Sequence, residues 1–168
     1  MNTRAVMATV LVCAFRPLAA QHANAPSAVA TVAQLYKEFA WEAVVSTPDS
    51  EWRRAVGLVD QPRTVLRRYF DDRLAGLWLA DRTCVRRTHG ECHLSFMPMW
   101  DSQDPTATGL RVLATKDSSV VTVRFWRPGD RESVELTYRL TMTADGWRIS
   151  DISSGSRWSL VALLSGRN

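Results

Sequence analysis

The chain has 168 residues and a mass of 18.9 kDa, enough to bury a core as one domain without dense disulfides and too short for a multidomain assembly. Hydrophobic residues at 46% and charged residues at 23% match ordinary globular proteins, which excludes global disorder, collagen and coiled coil. The formal charge is +4, but the basic residues are dispersed arginines with only Lys37 and Lys116 beside them, in no run longer than a pair. That dispersion argues against nucleic-acid binding, which concentrates basic charge on one face.

Residues 1–20 read as a secretory signal. Arg4 supplies the positive start, residues 5–15 the apolar stretch, and Leu18-Ala19-Ala20 the small-residue end. Its apolar stretch stops at Arg16-Pro17, short of the roughly 20 residues of a membrane span. Lipidation at Cys13 is disfavoured, because Val10-Leu11-Val12 lacks the small residue expected before a lipidated cysteine. Loss of Arg4 and Arg16 with the signal leaves 19 basic against 17 acidic residues, a net charge of +2. A polar leader covers residues 21–28, and residues 29–168 form a single domain in a periplasmic or secreted protein.

Val32, Leu35, Tyr36, Phe39 and Ala43 recur at helical spacing, so residues 29–45 are expected to be one amphipathic helix, stopped by Thr47-Pro48-Asp49. A connecting stretch follows over residues 50–62. Leu66, Phe70, Leu74, Leu77 and Trp78 then predict one helix or two over residues 63–82, with Asp71-Asp72 able to cap a second half. The pattern changes at Cys84. Processing leaves Cys84 and Cys92 as an even pair in an oxidising compartment, and a disulfide is the expected outcome. Zinc is the weaker reading, since Cys84, His89, Cys92 and His93 fit no standard ligand spacing.

From Leu94 the period becomes two. Strands are expected over residues 109–116, 121–126, 132–143 and 147–152, joined by turns at Pro128-Gly129-Asp130 and Ala144-Asp145-Gly146. Residues 158–164 form a short apolar tail, helical or extended, that docks on the sheet. Helices first and strands afterwards give an α+β fold, with N-terminal helices packed on one face of a curved antiparallel sheet.

The helices, the meander and the closing Asp145-Gly146-Trp147-Arg148-Ile149 resemble the nuclear transport factor 2-like, or cystatin-like cone, superfamily. Leu66-Arg67-Arg68-Tyr69-Phe70, residues 74–81 and Trp100-Asp101-Ser102-Gln103-Asp104-Pro105 resemble, more narrowly, the bacterial exported family called domain of unknown function 3828. The resemblance covers residues 32–164. It implies a bent sheet and helices around a pocket, and no particular reaction, because the same cone serves isomerases, dehydratases and binding modules.

The residues offer three places for chemistry. Asp101, Gln103 and Asp104, beside Trp100, form a polar loop; short acidic side chains there are expected to satisfy backbone donors and order the helix-to-sheet junction. Tyr69 and Tyr138 with Asp101 or Asp151 supply the residue types of an isomerase or dehydratase, although Tyr138 lies among apolar neighbours as a core residue does. Arg124, Arg139 and Arg148 occupy polar positions of successive strands and could receive an anion, or form a solvated face with Glu135. No serine-hydrolase or phosphate-loop motif is present, and no cofactor or metal is called for. The leading expectation is a noncatalytic module that binds a small ligand or an envelope protein; the alternatives are a small-molecule isomerase or dehydratase and a secreted inhibitor or immunity-type protein.

Overall fold

The computed structural model describes residues 26–44 and 57–167. The expected signal at 1–20, most of the leader, the end of the first helix at residue 45 and the start of the connecting stretch lie outside them.

Helix α1 spans Ala28–Phe39. Ser27 caps it by accepting the Ala30 amide at 3.1 Å, and Val32, Leu35, Tyr36 and Phe39 form its buried stripe. The expected single helix is interrupted at Ala40, and a separate turn, α2, follows over Trp41–Val44. A 3₁₀ turn at Leu58–Asp60 leads to α3, Arg63–Tyr69.

The apolar residues of the next stretch are divided between two helices. Phe70 leaves the helical region (φ −104°, ψ 150°), bridges Ile149 and buries its ring against Trp78, with centroids 5.1 Å apart. Asp71 donates its amide to the Ile149 carbonyl at 3.0 Å and accepts the Leu74 amide at 2.7 Å, starting α4, Asp72–Thr88. The helix therefore runs past Cys84, where the hydrophobic pattern had suggested a change of structure. It continues because Thr83 to Thr88 form a solvated end whose Arg86 and Arg87 suit the negative end of the helix dipole. His89, at φ 55°, closes it in the left-handed region.

Residues 94–107 are an irregular connection, with strands beginning only at Thr108. Five strands form an antiparallel meander in sequence order: β1 Thr108–Ala114, β2 Val120–Trp126, β3 Ser133–Thr143, β4 Gly146–Ser154 and β5 Trp158–Ser159. The β1–β2 register shifts between Thr108 and Arg111. Gly109 sits there at φ 64°, and a Cβ on it would meet the Trp126 ring at 3.0 Å. The tail is both extended and helical, β5 followed by α5, Leu160–Leu164.

One sheet face is apolar and covered. Val121, Val123, Phe125, Leu136, Tyr138, Leu140, Ile149 and Ile152 are buried against α1, α3 and α4, while Arg124, Glu135 and Arg139 alternate on the other face. The α+β expectation holds in this form. Trp78 lies in the core, and its indole N–H has no partner among the described residues.

Candidate functional site

The space between helices and sheet is filled by aromatic side chains. Tyr36 makes edge contacts with Trp100 and Tyr138 at 5.2 and 6.0 Å, and Trp100 packs on Phe125 at 5.5 Å. The Tyr36 hydroxyl donates to the Met99 carbonyl at 2.7 Å, so the Tyr138 hydroxyl, 2.8 Å away, donates to Tyr36. Burial pushes both phenols upward, and the nearby Tyr138 and Glu42 act on Tyr36 in the same direction. Glu42 seals one end: it accepts the Leu58 amide at 2.6 Å and the Trp100 indole N–H at 3.3 Å, and burial raises its pKa against those two donors. Tyr138 and Trp100 are thus wall and filling rather than the lining of an open pocket.

Asp101 is the polar node of the loop. Its side chain is 8% exposed and accepts the Trp158 indole N–H at 2.7 Å, with Arg157 and Ser154 on its other oxygen. Arg127 donates to its carbonyl at 2.5 Å. At φ 49° the residue occupies the left-handed region, which aspartate tolerates better than most. The structural role expected of the loop is therefore present at Asp101, but by a different route: its side-chain partners are distant side chains from the β4–β5 connection, not backbone donors two or three residues away. Gln103 and Asp104 are exposed, and neither makes a side-chain hydrogen bond among the described residues.

Asp151, the other carboxylate considered for acid–base work, accepts the Ile152 and Val161 amides at 2.9 and 3.0 Å and the Ser159 hydroxyl at 2.8 Å. It fastens the start of α5 to β4. Both aspartates are thus fully engaged as structural acceptors.

Tyr69 lies apart from Tyr138. It donates to Glu38, whose carboxylate also receives both terminal nitrogens of Arg68 at 3.2 and 2.9 Å. Burial and the Glu38 carboxylate push the Tyr69 phenol up to about 12. The arginines do not form one row. Arg124 pairs with its cross-strand neighbour Glu135 at 2.5 Å. Arg148 turns its guanidinium to the Arg67 and Trp147 carbonyls, both at 2.9 Å, and Arg139 lies opposite Val120 and Asp151.

Cys84 and Cys92 form the expected disulfide, with Cα atoms 6.2 Å apart. It ties the last turns of α4 to the following loop, where the His93 amide donates to Asp81 at 2.8 Å. No group of three or more His, Cys, Asp or Glu side chains able to hold a metal occurs among the described residues. No helix there is long and apolar enough to cross a membrane.

Sequence reasoning missed Glu38 and Glu42. Leu35, Phe39 and Glu42 follow the same helical spacing, and a carboxylate on an apolar stripe was the available signal. Arg157 carried no such signal, because its partner Asp101 is 56 residues away.

The chain matches no protein-family model, no curated protein and no solved structure. What the geometry defines is a two-layer α+β domain with a closed aromatic interior and its clefts on the outside.

Proposed function

We propose that this chain is an exported envelope protein of the cone-like kind, acting as a noncatalytic binding module through its outer surface. The observation that carries the reading is the closure of the interior by Tyr36, Tyr138 and Trp100, which fill the space between helices and sheet. The immobilised carboxylates of Asp101 and Asp151 support it further, since an Asp/Tyr isomerase or dehydratase needs a carboxylate free to exchange a proton. The Cys84–Cys92 bond suits an oxidising compartment.

Export is tested by intact mass: the mature protein should lack residues 1–20, and retention of Met1 contradicts it. Binding is tested by photo-crosslinking in the native envelope from positions on the outer sheet face, followed by affinity purification. The expected result is one stoichiometric adduct that survives Tyr138→Phe. A small-molecule turnover abolished by Tyr138→Phe in folded protein overturns the reading.

A further inference from the structure

We infer that the cleft beside the β4–β5 turn is a binding site for a phosphate ester carrying an apolar or aromatic group. This rests on the reading of the chain as a surface binding module. The cleft, of about 590 Å³, lies between β3, the β4–β5 turn and α5, and three arginines, Arg139, Arg157 and Arg167, line it against a single carboxylate, Asp151. That carboxylate is already engaged by two amides and a hydroxyl. Among the described residues, no carboxylate lies within ion-pair distance of Arg139 or Arg167; Asp117 influences Arg139 only from farther off, and Arg157 is held by Asp101.

The excess therefore rests on Arg139 and on Arg167, which spends one N–H on the Ser165 hydroxyl at 3.5 Å, and guanidinium groups bind phosphate with two parallel hydrogen bonds. Ser153 and Ser156 add hydroxyl donors to the same wall. The lining also has an apolar part: Trp158, fixed by its bond to Asp101 and by the Phe96 ring at 5.2 Å, together with Ala162 and Leu163. A fixed aromatic side chain in the same lining as the arginines suits an ester whose organic part is apolar or aromatic. The cleft at Arg67, Arg68 and Arg148 lacks this character, because Asp71, Asp72 and Asp145 line it in equal number.

The test is calorimetric titration of the full mature chain with phenyl phosphate and with inorganic phosphate, at ionic strength matched with sodium chloride. Saturable binding is expected, tighter for phenyl phosphate, and weakened roughly tenfold or more by Arg139→Gln with Arg167→Gln. Arg111→Gln, an exposed change on β1, should leave it unaltered. Absence of saturation, or equal binding by the double variant, overturns the site. Co-sedimentation of the wild type, but not the double variant, with phosphatidylglycerol vesicles and not with phosphatidylcholine places the ester on a lipid headgroup; binding of phenyl phosphate without sedimentation places it on a soluble molecule. Both support the site. A failed titration leaves the closed interior standing, because the tyrosines report on that separately.

Discussion

The hydroxyls of Tyr36 and Tyr138 meet at 2.8 Å across 102 residues of sequence, and Tyr36 donates its own hydrogen bond to the Met99 carbonyl. This pair joins α1 to β3 and to the loop before the sheet. Its polarity is satisfied internally, which is the condition for a buried polar group to be tolerated.

The two hydroxyls are not equivalent. Tyr36→Phe leaves both the Met99 carbonyl and the Tyr138 hydroxyl without partners, and should cost about 1–3 kcal/mol. Tyr138→Phe leaves Tyr36 still bonded to Met99 and should cost about 1 kcal/mol or less. Urea unfolding of both variants checks the order; equal losses contradict the proton arrangement.

Asp101→Ala strands the Trp158 indole N–H and removes the carboxylate that faces Arg157, while Arg127 keeps the backbone carbonyl, and should cost roughly 1–3 kcal/mol in denaturant unfolding. Asp104→Ala removes an exposed side chain with no partner among the described residues and should stay within about 0.5 kcal/mol of wild type. A large loss for Asp104→Ala contradicts this division of the loop.

The contrast marks what sequence could show. Periodicity located the strands and the buried face of α1, because each is a local alternation of side chains. Helical spacing alone runs on through Phe70, whose backbone is pulled out by Ile149 on β4, but Asp71-Asp72 offered the cap of a second helix, and Asp71 makes it. The loop's composition marked Asp101 and Asp104 alike, and only the fold separates them, by bringing Trp158 and Arg157 to one and nothing to the other. The charged strand positions offered either a row of arginines or a solvated face with Glu135 as counter-charge, and the second is what Arg124 makes. Cross-strand register decides between them, setting Arg124 opposite Glu135 and Arg139 opposite Val120.

Glu42 predicts a pH dependence. Burial raises its folded pKa above the ordinary 4.5, so the folded state holds a proton that the unfolded chain has already released. Stability from this group is full below the unfolded pKa and declines as pH rises from about 4.5 through the folded value. Glu42→Gln cannot lose a proton. The wild-type advantage over Glu42→Gln should therefore shrink as pH rises from 4 to 8, measured by urea midpoints; parallel curves contradict it.

Cys84 and Cys92 close a loop with a sequence separation of 8. Chain-entropy arithmetic gives about 2.5 kcal/mol for a loop this short. Cys84→Ser with Cys92→Ser should lower stability by about that amount while far-UV circular dichroism stays unchanged, because α1, the sheet and their aromatic filling do not depend on the bond. Loss of the fold contradicts it.

The closed interior is tested most directly by spectrophotometric titration of the tyrosines in the native state. The sequence contains three, Tyr36, Tyr69 and Tyr138, and all are held above the ordinary value of 10, Tyr69 at about 12 and the other two by full burial. Folded protein should form less than one phenolate per chain at pH 10.5, with Tyr69→Phe forming none until the fold is lost. A phenol that titrates near 10 in folded Tyr69→Phe protein would show water at Tyr36 or Tyr138, and with it an open pocket.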